Sequence, residues 1–289
     1  MLGSTRKVLI TGGSGFLGKH IAKMLLEKKY SVTNLINSTS SSELTEYDAY
    51  SEFCYNEFDK NIDADIIIHC ATNYGRDNSQ YEKIFQPNLY LPLQLLIKRM
   101  HHDHPLFFIN IDTSLEATTS LYALSKNLFL TSAEKIINEH QLKNIKFINI
   151  KLEHFYGFNA PSNNFITYLT QSMQAGAPNI DLTLGEQQRD FIYIQDAVNA
   201  ISMIINEMKN FDDGVTKFEI GSGENITIKD AVLTIADLIS YDRKNLNFGA
   251  VPYRKNEQMM SEVSLSKIKH LGWLPEYSFA EGIKEMLKK

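Results

Sequence analysis

Short apolar runs alternate with helix-period segments through the first half of the chain. Val8, Leu9 and Ile10 form a β-branched run closed by Thr11, and Phe16, Leu17, Ile21 and Leu25 then recur at helical spacing. Ser31–Ile36 reads as a second strand and Glu52–Tyr55 as a weak third. Asp65–Cys70, DIIIHC, is a strong fourth, and its unbroken apolar character suits a central parallel strand covered on both faces. A helix from about Asn88 to Met100, a strand Leu106–Ile111, a helix Leu121–Glu139 and a strand Lys146–Lys151 complete the alternation. The pattern predicts an α/β fold, a Rossmann-like doubly wound parallel sheet with right-handed crossovers. Past Leu152 the rhythm changes. Stretches rich in Asn, Pro and Gly (157–164 and 176–179) separate helices from isolated strands such as Phe218–Ile220.

The turn between the first strand and helix, within KVLITGGSGFLGK, carries Gly12, Gly15 and Gly18 three residues apart. In a strand-turn-helix of this kind the first glycine permits the tight turn. The second lets the backbone approach a pyrophosphate, and the third lets the helix pack near the strand. The helix behind it directs its free N–H groups and positive dipole end at the phosphate. Residues 1–152 therefore read as an NAD(P)-binding Rossmann domain, and 153–289 as a smaller substrate-binding lobe interleaved with it.

The end of the second strand addresses the adenosine ribose, where an acidic residue would bond the 2′-hydroxyl and repel a 2′-phosphate. Ile36 and Asn37 stand there and neither is acidic. Asn37, Ser38 and the serines to Ser42 offer neutral donors, so NADP is favoured over NAD.

Composition changes this picture little. The chain has 289 residues and a net charge of -5, which calls for neither nucleic acid nor an anionic membrane. No apolar run approaches the roughly 20 residues that span a bilayer. The chain enters its first strand almost at once, leaving no room for a signal peptide. Cys54 and Cys70 have no metal-ligand spacing and read as apolar filler. A cytoplasmic protein without a metal site is expected.

Tyr122 and Lys126, in YALSK, lie four apart on one helix face. A phenol with an ordinary pKa near ~10 is a poor acid at neutral pH, and an ammonium held close brings it toward a working value. The pair follows the fifth strand, whose end carries Thr113 and Ser114 at the carboxyl edge where ligands bind.

TGGSGFLG, DIIIHCAT, DTS, YALSK and RDFIYIQDA, in this order, resemble the extended short-chain dehydrogenase/reductase family, as does the closing LGWLPEYSFAEGIKEML. These are NAD(P)-dependent enzymes acting on nucleotide-activated sugars. The resemblance implies a phosphate loop of Gly12, Gly15 and Gly18 with Phe16 and Leu17 beside the pyrophosphate. It implies Ala71 and Thr72 along the riboses, and Asn88 packing near the active site. Thr113 matches the catalytic hydroxyl, with Ser114 as the alternative. Tyr122 matches the acid–base and Lys126 its partner, which also holds the nicotinamide ribose. Asn164, Arg189 and Arg254 fall where the family binds the nucleotide and diphosphate. For Arg189 a salt bridge with Asp190 or Asp196 is an equal reading. Asp196 itself reads as the N-cap of a helix Ala197–Met208. A homodimer through the helices near Asn88–Met100 and Leu121–Glu139 is implied by the resemblance alone.

Within the family, 4,6-dehydratases carry an Asp-Glu pair directly after the catalytic Thr. Here Ser114 and Leu115 follow Thr113, and Glu116 is displaced by one place. Tyr74 and Arg76, in CATNYGRDN, face the sugar or fill the loop. The chain most resembles the 4-ketoreductases of O-antigen sugar pathways, such as the CDP-abequose and CDP-paratose synthases. These reduce a nucleotide-linked 4-keto-(di)deoxyhexose with NADPH. An NAD-dependent epimerase and a non-catalytic dinucleotide sensor are the alternatives.

Overall fold

A computed structural model describes residues 5–36, 43–55, 63–76, 80–100, 104–140, 142 and 144–288. The chain forms two compact units, Met1–Lys151 with Ile201–Phe218, and Leu152–Ala200 with Glu219–Lys289. The first unit opens with β1 (Lys7–Thr11), α1 (Phe16–Glu27), β2 (Ser31–Ile36), β3 (Tyr50–Cys54) and β4 (Ile66–His69). Helices α2 (Tyr81–Phe85) and α3 (Leu91–Arg99) are joined by a π-helical turn, Gln86–Tyr90. Then come β5 (Leu106–Thr113), α4 (Leu121–Glu139) and β6 (Ile145–Leu152). The chain continues through β7 (His154–Tyr156), α5 (Phe165–Gln174), β8 (Ile180–Leu182), β9 (Gln188–Tyr193), α6 (Ile194–Glu207) and β10 (Gly214–Ile220). It closes with β11 (Asn225–Thr227), α7 (Ile228–Ile239), β12 (Leu246–Phe248), α8 (Ser266–His270) and α9 (Phe279–Leu287).

The central sheet has seven strands in the order β10-β6-β5-β4-β1-β2-β3. β1 pairs in parallel with both β2 and β4, so the chain runs outward on one side of β1 and restarts on the other. That reversal leaves a crevice at the carboxyl ends of β1 and β4, where ligands bind in sheets of this type. The strands are apolar because both faces are covered. Ile66, Ile67 and Ile68 are wholly buried, and Phe108 stacks on Phe147 at 5.2 Å with the Phe129 ring edge-on at 5.8 Å.

Several element boundaries differ from the sequence reading, β10 among them, which begins at Gly214 and not at Phe218. The third strand begins at Tyr50, paired with Val32, because its cross-strand partner extends it toward the amino end. The helix expected from Asn88 begins at Tyr81 and loosens into the π turn around Pro87. That residue brings no N–H to the helical ladder and its ring crowds the preceding turn. α6 begins at Ile194, so Asp196 lies inside its first turn and does not cap it. The Asp196 carboxylate is spent on the backbone N–H groups of Glu276 and Tyr277, both at 3.1 Å.

In the second unit β11, β9 and β7 make a three-stranded sheet, and β8 pairs with β12. The buried Asp190 of β9 accepts the N–H groups of Ser222 at 2.6 Å and Gly223 at 2.7 Å, fixing the turn after β10. Among the described residues no helix is long and apolar enough to cross a membrane, and no His, Cys, Asp and Glu cluster has metal-binding geometry.

Candidate active site

The glycine turn is shaped by contact. Gly12 has φ +70°, and a Cβ there would fall 2.6 Å from the Ala71 nitrogen. A Cβ on Gly18 would stand 2.1 Å from the Gly12 carbonyl oxygen, so α1 approaches the turn only because residue 18 has no side chain. The Gly15 N–H donates to that same oxygen at 2.9 Å. No side chain caps α1, whose amino end starts at Gly15, as an incoming anion requires. Phe16 is half-buried and Leu17 buried in the packing of the helix. Asn34 inside β2 accepts the Gly13 N–H at 3.0 Å and donates to Ser14 Oγ and the Tyr50 hydroxyl, both at 3.1 Å. Asn37 and Ser38 lie outside the described residues, and the last residue of β2 is Ile36.

Ala71 and Thr72 follow β4, beside the turn. The Ala71 N–H donates to Thr11 Oγ1 at 3.2 Å, and that hydroxyl lies 2.7 Å from Nδ1 of the wholly buried His69. Burial, reinforced by the Lys126 charge, holds His69 well below the ordinary histidine value of 6.5.

Ser120 caps α4, its Oγ accepting the Ala123 N–H at 3.2 Å, and this starts the helix one residue before Tyr122. The Tyr122 phenol is hydrogen-bonded to Thr113 and Thr72. Burial pushes it above the ordinary tyrosine value, the neighbouring Tyr74 adds to this, and the two hydrogen bonds oppose it. Tyr74 meets the Tyr122 ring at 4.9 Å and the Arg76 guanidinium lies 4.9 Å from the Tyr74 ring. Lys126 is buried, and its ammonium donates to the Ile111 carbonyl at 2.7 Å. The lysine is therefore engaged with β5, and burial raises the phenol pKa, the opposite of the lowering expected from an adjacent ammonium. Ser114 is half-buried one residue past Thr113, and Glu116 is exposed.

Asn88, at the centre of the π turn, ties the loop after β4 to α4. Its Oδ1 accepts from Thr72 Oγ1 at 2.9 Å and the Asn73 N–H at 3.0 Å. Its Nδ2 donates to the Asn73 carbonyl at 2.9 Å and to Ser125 Oγ at 3.0 Å. Ser125 Oγ in turn donates to the Tyr122 carbonyl at 2.7 Å. Thr72 is thereby fixed against the phenol. The sequence reading missed Asn34 and the buried row Asn110, Asn149 and Asp112, although Asn110 and Asn149 each interrupt a pair of isoleucines. That interruption was the available signal.

In the second unit Asn164 caps α5, accepting the Ile166 and Thr167 N–H groups at 3.1 and 3.4 Å, and donates to the Phe155 carbonyl at 3.1 Å. Both ends of its amide are engaged. Arg189 donates to Glu257 Oε1 at 2.5 Å and to the Gln188 carbonyl at 2.7 Å. Its ion-pair partner is thus Glu257, not Asp190 or Asp196, whose carboxylates are taken by backbone N–H groups. Burial lowers the Arg189 pKa, and the exposed Arg254 nearby adds its like charge in the same direction.

A glycine turn at the switch point of a parallel sheet, followed by a Tyr–Lys helix after β5, is the arrangement of dinucleotide-dependent α/β enzymes. The chain belongs to the NAD dependent epimerase/dehydratase family, whose model matches residues 8–221. It is 32% identical to a CDP-abequose synthase of Salmonella muenchen, over 99% of both chains. It is 26% identical to a dTDP-4-dehydro-6-deoxyglucose reductase of Escherichia coli, over 97% of this chain and 96% of that one. Among solved structures, a dTDP-glucose 4,6-dehydratase of Bacillus anthracis in complex with NAD matches with a TM-score of 0.80. It covers 98% of this chain and 96% of that chain at 19% identity.

Proposed function

We propose that this chain reduces the C4 keto group of a nucleotide-linked 4-keto-(di)deoxyhexose with NADPH, in deoxysugar biosynthesis of the O-antigen type. The observation that carries the reading is the place of the Tyr122 phenol, beside the Thr113 and Thr72 side chains at the end of the sheet. Reduction of a ketone needs a proton donor beside the carbonyl oxygen, and a phenol is one. Ser114 and Leu115 stand where an elimination would want two carboxylates, which supports reduction over dehydration. The relationship to proteins named CDP-abequose synthase and dTDP-4-dehydro-6-deoxyglucose reductase supports a nucleotide sugar with a keto group at C4.

The glycine turn, the uncapped start of α1 and the backbone at Ala71 and Thr72 fit a dinucleotide. Gly12, Gly15 and Gly18 would hold its diphosphate and Lys126 its nicotinamide ribose. The absence of an acid at the end of β2 supports NADP over NAD. The dinucleotide supplies the hydride for C4. Tyr122 gives its phenolic proton to the C4 oxygen, and the Thr113 hydroxyl polarises that oxygen. Lys126 stabilises the phenolate left behind. Arg189 and Arg254 bind the diphosphate of the substrate, and Tyr74 with Arg76 borders the sugar.

The test is oxidation of NADPH and NADH, followed by the reduced-nicotinamide absorbance, with freshly made CDP- and dTDP-linked 4-keto-6-deoxy sugars. Loss of NADPH with one of them is the expected result and identifies the nucleotide. No oxidation, from protein purified with NAD tightly held, would overturn the reading in favour of an epimerase.

A further inference from the structure

Neighbouring strands β5 and β6 carry the same four residues, Phe108-Ile109-Asn110-Ile111 and Phe147-Ile148-Asn149-Ile150. Both asparagines are wholly buried and they are joined in a row. Asn110 Nδ2 donates to Asn149 Oδ1 at 2.7 Å, and Asn149 Nδ2 donates to Asp112 Oδ2 at 2.9 Å. The other Asp112 oxygen accepts the Thr113 N–H at 2.8 Å. An amide both donates and accepts, whereas an ionised carboxylate only accepts. The row therefore has a fixed direction and ends on the buried Asp112 carboxyl group, both of whose oxygens accept.

A buried carboxylate costs free energy that a neutral hydrogen-bonding residue would avoid. What surrounds Asp112 offers a reason for keeping it. The residue before it supplies the carbonyl that receives the Lys126 ammonium. The residue after it is Thr113, whose side chain meets the Tyr122 phenol. Asp112 thus sits between the contacts of both members of the pair, on one rigid strand.

We propose that Asp112 is the positioning residue of this site, the counter-charge of the Lys126 ammonium and the anchor that sets Thr113 against Tyr122, braced from behind by Asn149 and Asn110. The proposal rests on the reading of Tyr122 as the proton donor. Lys126 is faced by Asp112 from β5, by Cys70 after β4 and by His69 within β4. Tyr122 is faced by Tyr74 and Thr72 from the loop after β4 and by Asp112 and Thr113 from β5, with Lys126 one turn further along its own helix. Burial works against the Lys126 charge, and Asp112 is the largest influence restoring it.

Two variants separate charge from hydrogen bonding. Asp112→Asn removes the charge. The double variant Asp112→Asn with Asn149→Asp keeps every bond of the row, since the new amide donates to the new carboxylate, which still accepts from Asn110. It moves the charge one strand away from Lys126. The readouts are a carbon NMR titration of the Lys126 Cε in lysine-labelled protein and the pH profile of kcat. In both variants the Lys126 titration is expected to move to lower pH. The alkaline limb of kcat moves the same way, because the phenol loses a nearby negative charge that opposed its ionisation. An unmoved Lys126 titration in folded protein would overturn the proposal. So would failure of both variants to fold, which would make Asp112 a folding determinant only. A wild-type chain that does not oxidise NADPH would sink the reductase reading, and the NMR titration would still decide this one.

Discussion

The Tyr74 ring lies 4.9 Å from the Tyr122 ring, tilted by 45°. Tyr74 is thus part of the environment that raises the phenol pKa. Tyr74→Ala admits water to Tyr122 and lowers its pKa. Reduction needs the protonated phenol, so activity is present below that pKa and lost above it. The alkaline limb of kcat should therefore move to lower pH, whereas Tyr74→Leu, which keeps the cover, should move it less. A pH–rate comparison of the two variants checks this.

Tyr122→Phe removes the proton donor and little else. General acid catalysis is worth ~10²–10⁴-fold, and kcat should fall by about that factor. The Kd for NADPH, read by fluorescence titration, should not change. A matching loss of cofactor binding would assign the residue a structural role instead.

Arg189→Lys keeps a cation but loses the planar fork that reaches both Glu257 and Gln188. KM for the nucleotide sugar should rise about tenfold, equivalent to about 1.4 kcal/mol, with kcat retained. Steady-state kinetics on the variant separates the two parameters. A fall in kcat with KM unchanged would remove Arg189 from the substrate diphosphate.

Stability should carry a histidine signature. His69 is buried neutral, with a folded pKa below 6.5. The unfolded chain binds its proton near pH ~6.5, so unfolding gains protons as pH falls through that value. Stability is then lost progressively from about pH 6.5 down to the folded pKa. Urea melts at about pH 7.5 and about pH 5.5 should show this loss. His69→Leu should flatten the difference.

Asn88→Leu takes a partner from the Thr72 hydroxyl, the Asn73 backbone and Ser125 at once. A cost of about 1–3 kcal/mol is expected from the buried groups that lose a partner, measured by denaturant melting. Turnover should fall as well, since Thr72 is no longer fixed against Tyr122. Thr72→Ser, which keeps the hydroxyl, should fall less.

What could be read in advance was local. The helical period located Leu121–Glu139 to the residue, and with it the i, i+4 placing of Tyr122 and Lys126. The glycine turn and the DIIIHC run gave the centre of the parallel sheet for the same reason, because each signal lies within a few neighbouring residues. The failures were long-range. Asp196 looked like a cap until its carboxylate was found on Glu276 and Tyr277, far along the chain. Arg189 found Glu257 by the folding of a loop that no spacing announces. The direction of the Lys126 ammonium, onto a strand carbonyl, depends on packing between α4 and β5 and has no trace in composition or period.

The seven-stranded sheet is completed late. β6 is finished at Leu152, yet its outer neighbour β10 is made only after the chain has entered the second unit and come back. At about 5–20 residues per second, a growing chain on the ribosome would leave the β6 edge unpaired for several seconds. The unpaired edge belongs to the strand that carries Phe147 and Asn149, so the newborn protein passes through a stage in which a sticky apolar border is open to other chains. Slow translation between Leu152 and Ile220 would lengthen that stage, and a chaperone that shields strand edges would matter most then.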